Sequence, residues 1–371
     1  MIKNIIGVLK NPFKPVKFGQ VIFFITGKCN LRCHHCFYWK SLNTKEQLSF
    51  NKIAKISNNL PKFSNLQISG GEPFLRKDIV EIIKTFKKNN KILGVNIPTN
   101  GTLTTETIKK LKLLLKIDPL FSVDVNFSID GIQKIHEEIR GVKGTFNQAI
   151  TTLKKVSQLK KTYPNLKVSI NTVISAKNIK HLKKFIKFIS LQKNILLDGH
   201  YFEIVRGNPL EKKVKIIKPE KLKYLYEKVL LPYQEKLWRQ RKGNKYINII
   251  FSSFARANLS FIYKTQYKNF YKKTAWPMPC LAGKSTIVIN HKGELSSCEL
   301  RKPISDLKKE KYNVKKVLKS KKFLRELGSI KKYKCFCTHV CFLTDSMYAS
   351  PNVVFVQIPI LWIKNLFNLS I

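Results

Sequence analysis

Between residues 21 and 205 short apolar runs alternate with amphipathic stretches of helical spacing, and this alternation restricts the fold more than any other feature. The runs are 21–25, 66–69, 94–97, 123–129, 168–174 and 201–205. Helical spacing fills 45–60, 78–89, 104–116, 145–160 and 178–191. Six repeats with helix-length connections predict a parallel sheet with right-handed crossovers, either doubly wound or curled into a partial barrel. The residues capable of chemistry favour the barrel. Cys29, Cys33 and Cys36 follow the first run, Gly70-Gly71-Glu72-Pro73 the second, Asn100 the third, Ser128 and Asp130 close the fourth, and Arg206 follows the sixth. Groups gathered at the carboxyl ends of successive strands form the rim of a barrel-type active site.

Three thiols within the stretch Cys29-Asn30-Leu31-Arg32-Cys33-His34-His35-Cys36 are metal-ligand chemistry. A cubane iron-sulfur cluster on three protein thiolates leaves one iron with an open coordination position. The same stretch admits a structural zinc site in which His34 or His35 completes a tetrahedron. Gly70-Gly71-Glu72-Pro73 read alone is a turn, although its glycines allow close backbone approach and Glu72 can accept hydrogen bonds from an ammonium group.

The C-x3-C-x2-C spacing, with a GGEP tetrapeptide one strand-helix unit later, resembles the radical S-adenosylmethionine (radical SAM) enzymes. The resemblance implies an α/β fold, a partial (β/α)6 TIM-like barrel. It also implies a 4Fe-4S cluster whose open iron chelates SAM, and reductive cleavage of SAM to a 5'-deoxyadenosyl radical that abstracts hydrogen from substrate. Carried over residue by residue, Gly70, Gly71 and Glu72 hold the methionyl amine, and Ser128 and Arg140 reach the ribose or the methionyl carboxylate. Asn100 and Asp130 join the cofactor-binding set. His35 stands where the family more often has an aromatic residue whose backbone meets adenine, and Arg206 faces adenine or substrate. Without the resemblance, Ser128 reads as a strand-end cap, Asp130 as part of a turn, and Arg140 and Arg206 as surface or ion-pair residues.

A second cysteine set comprises Cys280, Cys298, Cys335, Cys337 and Cys341. Residues 285–289 and 294–297 around Asn290-His291-Lys292-Gly293 predict a hairpin that returns Cys298 toward Cys280. Cys337 and Cys341, spaced i and i+4, predict one helix face. This pattern is similar to the auxiliary-cluster extension called SPASM or, when shortened, twitch. It implies one auxiliary 4Fe-4S cluster that accepts electrons from an oxidised substrate or ligates it directly. Whether Cys335 or Cys337 is the fourth ligand stays open, as does zinc. Glu299, beside Cys298, is the candidate general base, with a supporting hydrogen-bond role as the alternative.

The boundaries expected are an N-terminal arm at 1–20, the barrel at 21–215, a helical aromatic bridge at 216–273, the small cysteine-rich auxiliary-cluster extension at 274–350 and an apolar tail at 351–371. A net charge of +48 would suggest an anionic partner, yet it is nearly all Lys spread evenly along the chain, and nucleic acid is not expected as the partner. A radical SAM nucleic-acid-modifying enzyme and a non-catalytic zinc-stabilised binding protein are the alternatives. No secretory signal or run of some 18 apolar residues is present, so a reducing cytoplasm and no transmembrane segment are expected. The function expected is that of an oxidoreductase or maturase-type enzyme. An external donor such as flavodoxin or ferredoxin would serve it, and it would act on a peptide or small-molecule substrate.

Overall fold

The computed structural model describes residue 12 and residues 16–240, 243–332 and 334–366; most of the expected N-terminal arm and the last residues of the apolar tail lie outside them. In chain order the strands are β1 (Gln20–Thr26), β2 (Asn65–Gly70), β3 (Gly94–Thr99), β4 (Ser122–Ser128), β5 (Leu166–Ile174), β6 (Gly199–Ile204), β7 (Thr286–Ile289), β8 (Glu294–Ser296) and β9 (Ser305–Asp306). The first six helices are α1 (Phe50–Asn58), α2 (Ile79–Asn90), α3 (Thr104–Leu115), α4 (Gln133–Arg140), α5 (Thr145–Gln158) and α6 (Leu182–Ser190). Then come α7 (Pro219–Tyr224), α8 (Leu231–Arg239), α9 (Lys245–Lys272), α10 (Val314–Leu318), α11 (Lys321–Lys332), α12 (Val340–Tyr348) and α13 (Ile358–Leu366).

Two compact units form. One contains Phe18–Val214 and Ala282–Ser329; the other contains Lys215–Leu281 and the described residues from Ile330 onward. The first unit is built on one sheet of order β6-β5-β4-β3-β2-β1-β7-β8-β9. Strands β1 to β6 are parallel to their neighbours, as the alternation requires, giving the expected α/β array of a partial barrel with a cysteine-bearing C-terminal extension. The hairpin β7-β8 forms as expected, and β7 then pairs parallel to β1, with Val21 opposite Ile287.

Placing β1 between β2 and β7 explains its sequence: Val21, Ile22, Phe23, Phe24 and Ile25 are all buried, as in a parallel strand covered on both faces. Farther along, the strands change character. On β4 Val123, Val125 and Phe127 are buried, whereas Asp124, Asn126 and Ser128 are only half-buried. Gln67 on β2 and Asn96 on β3 occupy the same register, and the Gln67 side chain donates to Asn96 Oδ1 at 2.9 Å. One face of the sheet is therefore apolar beneath the helices, and the other is a polar, accessible lining. The helices cover the first face through packed stripes: α2 buries Ile79, Val80, Ile82, Ile83 and Phe86, and Phe86 meets Phe23 edge-on at 5.8 Å. Truncating Phe86 to Ala would cost about 3–5 kcal/mol.

The second unit is helical and aromatic. Tyr226 and Tyr263 stack at 4.2 Å within it. Two π-helical turns, Leu225–Leu230 and Val353–Gln357, each run directly into an α-helix that carries proline near its start, Pro232 in α8 and Pro359 in α13. Proline offers no N–H to the ladder and crowds the carbonyl four residues back, so the turn before it widens. α13 lies along α9, with Trp362 Nε1 donating to Ser253 Oγ at 3.0 Å and Asn365 to Ser260 Oγ at 3.3 Å.

Candidate active site

The cysteine loop leaves β1 and is pinned on several sides. Cys29 N–H donates to Asn43 Oδ1 at 2.9 Å, and Asn43 donates back to Cys29 O at 3.1 Å. Asn100, after β3, donates to Asn30 Oδ1 at 2.8 Å while its own Oδ1 accepts from Thr102. Leu210 and Glu211 N–H donate to Cys36 O and His34 O at 3.2 and 2.9 Å. His291, after β7, reaches Tyr38 Oη at 2.5 Å and Thr44 Oγ1 at 3.2 Å, and a Cβ on Gly27 would come within 2.6 Å of its ring. Residues following β3, β6 and β7 thus fix one short loop.

The GGEP turn braces the exit of β1. Gly71 N–H donates to Thr26 O at 2.9 Å and Glu72 N–H to Lys28 O at 2.8 Å. Gly70 has φ +121°, where a Cβ would lie 2.2 Å from Thr26 O, and a Cβ on Gly71 would lie 2.0 Å from Lys28 O. The two glycines are thus demanded by the approach of the two strand ends. Glu72 is buried, accepting from Phe74 N at 3.1 Å, Thr99 Oγ1 at 3.0 Å and Asn100 N at 2.7 Å. Burial pushes its carboxyl up to about 7 despite these donors. Oε2, with one donor, retains capacity to accept another hydrogen bond.

On the other side α4 docks its C-terminus on the loop. Arg32 N–H donates to Arg140 O at 3.1 Å and His34 N–H to Ile139 O at 2.8 Å. Gly141 ends the helix at φ +74°, where a Cβ would meet Arg32 O at 2.7 Å. Arg140 Nη1 lies 3.6 Å from Cys33 Sγ, and Nη2 lies 2.7 Å from Oδ2 of Asp130. Asp130 is fully buried, accepts from Val173 N–H at 2.9 Å and sits 4.0 Å from His35 Nδ1. The Arg140 charge holds the Asp130 carboxyl below its ordinary value against the opposing effect of burial. Burial pushes His35 down to about 4 and His136 to about 3, so both rings are neutral near pH 7. Burial also raises the thiols, Cys29 to about 11 and Cys36 to about 12, with Arg140 pulling the other way.

Arg206 and Glu299 meet, with Arg206 Nη2 3.1 Å from Glu299 Oε2 and the Glu299 side chain 4% exposed. Arg206 also pairs with Glu203 and stacks over Phe37 at 5.0 Å, which ties Glu299 to the cysteine loop through one guanidinium. Ser128 ends β4 opposite Asn171 on β5, and Oδ1 of Asn171 is buried without a hydrogen-bond partner. Asn171 escaped the sequence reading because an Asn inside a strand carries no motif; its polarity amid Val168, Ile170 and Ile174 was the available signal. Lys177 Nζ and His34 Nδ1, each 3.0 Å from Glu211 Oε2, form a second group that went unread.

All eight cysteines are thiols outside disulfides. Of the second set, Cys298 belongs to the sheet unit and follows β8, whereas Cys280, Cys335, Cys337 and Cys341 belong to the helical unit. Leu281 N–H donates to Ser346 Oγ on α12 at 3.0 Å, tying the Cys280 segment to the helix that carries Cys341. The expected shared helix face fails: α12 starts at Val340 with His339 as N-cap, so Cys337 precedes the helix and Cys341 lies in its first turn. Two sulfurs accept backbone N–H groups, Cys298 from Leu300 at 3.3 Å and Cys337 from His339 at 3.4 Å. Cys335 N–H instead closes a turn onto Ile330 O at 3.1 Å.

The loop fits an iron-sulfur cubane better than a lone ion. Its donors are three thiols with Arg140 alongside, and Nδ1 of His35 and Nε of Arg140 are buried without hydrogen-bond partners. A cubane takes thiolates alone from the protein and spreads them wider than tetrahedral zinc does.

Comparison with known proteins agrees with this geometry. The Radical SAM superfamily pattern matches residues 23–189. A "Probable GTP 3',8-cyclase" of Methanocaldococcus jannaschii is 30% identical over 212 residues, covering 54% of this chain and 68% of that protein. A "Cysteine-type anaerobic sulfatase-maturating enzyme" of Clostridium novyi is 28% identical over 188 residues, 45% of this chain and 46% of the relative, so the chain spans less than half of it. The solved structure "Native anSMEcpe with bound AdoMet and Cp18Cys peptide" superimposes with TM-score 0.57 at 16% identity over 94% of this chain and 96% of that one, a likeness of fold.

Proposed function

The chain belongs to the radical SAM superfamily, and on that premise we propose that it is a maturase-type oxidoreductase that modifies a peptide or small-molecule substrate. When bound at Cys29, Cys33 and Cys36, a 4Fe-4S cluster with SAM supplies reductive cleavage of the sulfonium bond, hence a 5'-deoxyadenosyl radical that takes hydrogen from substrate. The observation that carries this reading is the three-thiol loop clamped between the GGEP turn and Arg140.

The chain's own residues divide the work of binding. Glu72, with Oε2 only partly committed, and the glycine turn offer acceptors to an ammonium group, and Arg140 offers a guanidinium to a carboxylate. Asp130 keeps that guanidinium charged and oriented. Ser128 at the end of β4 and Asn171 opposite it within β5 add hydroxyl and amide groups, and Asn100 fixes the loop. Arg206 sets the orientation of Glu299, which we assign as the base that takes the substrate's proton.

For the second cysteine set we propose one auxiliary 4Fe-4S cluster, as its similarity to the SPASM or twitch extension implies. The N–H groups aimed at the Cys298 and Cys337 sulfurs support those two as thiolate ligands. We take the compartment to be a reducing cytoplasm, with flavodoxin or ferredoxin as the external donor.

Metal analysis after anaerobic reconstitution tests the two-cluster reading. About eight irons per chain are expected in the wild type and about four after Cys280→Ala with Cys341→Ala. About four irons with one tightly held zinc in the wild type would replace the auxiliary cluster with a structural zinc site.

A further inference from the structure

α13 is apolar on both faces. Ile358 and Leu361 are buried, whereas Ile360 and Ile363 are 49% and 51% exposed, and Val356 in the π turn just before is 49% exposed. Val356, Ile360 and Ile363 are spaced i, i+4 and i+7, so the exposed residues form one stripe. A surface helix normally turns polar residues outward, and one that is apolar all round belongs in a core or in lipid. Among the described residues no single helix is long and apolar enough to cross a membrane. α12 and α13 together have the apolar length and composition, but the pair is bent by 88°. With α13 held along α9, that bend suits a helix lying in a membrane surface better than one crossing it.

Beside the stripe is a concentration of positive charge. Lys264 and Lys268 on α9 and Lys364 on α13 lie close enough that the latter two, after burial itself, lower the pKa of Lys264. Lys264, Lys268 and Lys272 follow at i, i+4 and i+8 and, with Lys223, line a cavity of about 230 Å³ floored by Tyr263 and Tyr267. Like charges at that spacing repel, and Glu227 is the one carboxylate among the cavity's lining residues. Neither α9 nor α13 contains an acidic residue. Asn365 of α13 donates to Ser260 at the cavity wall, so α13 and the lysine cavity are neighbours.

We propose that the helical unit docks on an anionic lipid bilayer, with Val356, Ile360 and Ile363 entering the interface and Lys264, Lys268, Lys272 and Lys364 meeting lipid phosphates. Aliphatic groups beside a cluster of lysines match the apolar and anionic layers of such a surface. This inference stands independently of the chemistry at the cysteine loop.

The test is co-sedimentation of the full chain with vesicles of phosphatidylcholine alone or with roughly one third phosphatidylglycerol, at physiological ionic strength. Binding to the anionic vesicles alone is expected. Ile360→Asn with Ile363→Asn, and separately Lys264→Gln with Lys268→Gln and Lys364→Gln, should each weaken it at least about tenfold. The same number of Lys→Gln changes on α2, at Lys84, Lys87 and Lys88, should leave it unchanged. Unaltered melting temperatures would show that these exposed positions do not report unfolding. Three outcomes would overturn the proposal: no binding by the wild type, equal loss from the α2 variant, which would make the attraction general charge, or full binding by the Ile360/Ile363 variant. If that variant instead turns a dimer into a monomer without changing vesicle binding, the stripe is a contact between copies and the proposal also fails.

Discussion

Arg140 grips the cysteine loop twice, through Nη1 at 3.6 Å from Cys33 Sγ and through its carbonyl oxygen, which accepts the Arg32 N–H at 3.1 Å. The same residue neutralises Asp130, whose buried carboxylate would otherwise be costly. One residue therefore sets the position of a thiol, the charge beside it and the exit of α4. Substitutions here should separate folding of the loop from binding at it.

Arg140→Lys keeps a charge near Asp130 but loses the fork. SAM affinity, by calorimetry on the reconstituted protein, should fall by about 1–3 kcal/mol while iron content holds. Equal affinity would confine Arg140 to bracing Cys33.

Gly71→Ala places a methyl 2.0 Å from Lys28 O. Relief requires moving the end of β1 or the GGEP turn, so unfolding in urea should show a loss of about 3 kcal/mol or more, with poor iron incorporation although no ligand has changed. Full stability with full iron would show that the strand ends have more freedom than their hydrogen bonds allow.

Glu72 makes stability depend on pH with a definite sign. Its folded-state carboxyl titrates near 7 rather than 4.5, so the native protein binds that proton more tightly than the unfolded chain. The stabilisation is fully present below about pH 4.5 and declines as pH rises through 7, by at most about 1.4 kcal/mol per pH unit. Melting curves of the metal-free protein should therefore show that Glu72→Gln removes this decline between pH 4.5 and 7. Parallel wild-type and variant profiles would assign the slope to other groups.

Glu299→Gln keeps the shape of the side chain held by Arg206 and removes its basicity. Substrate turnover should slow by about 100-fold or more with iron content and SAM cleavage intact. Normal turnover would leave Glu299 a supporting role at the loop.

The parallel strands were legible because strands buried on both faces need uninterrupted apolar residues, as in Val21 to Ile25. α4 was not, since it buries His136 and Arg140 beside Ile139 and so shows no apolar period; an ion pair, not hydrophobic spacing, seats it. The β7-β8 hairpin was readable from its local turn, but its partner β1 lies some 266 residues earlier, and pairing at that distance leaves no local mark. At the site, the cysteine and glycine spacings identified the loop and its brace. Asp130 could be named but not understood, because its role depends on Arg140, His35 and Val173 arriving from three other segments. The Cys337–Cys341 spacing misled because His339 begins the helix between them.

The most direct test is SAM cleavage by the anaerobically reconstituted chain under a strong reductant, with 5'-deoxyadenosine quantified by chromatography. The wild type should form it, and the variant Cys29→Ala with Cys33→Ala and Cys36→Ala should form none while still folding around the Glu72 bracket. A fully iron-loaded wild type that yields no 5'-deoxyadenosine, or a triple variant that yields as much as the wild type, would contradict the assignment of this loop as the site of SAM cleavage.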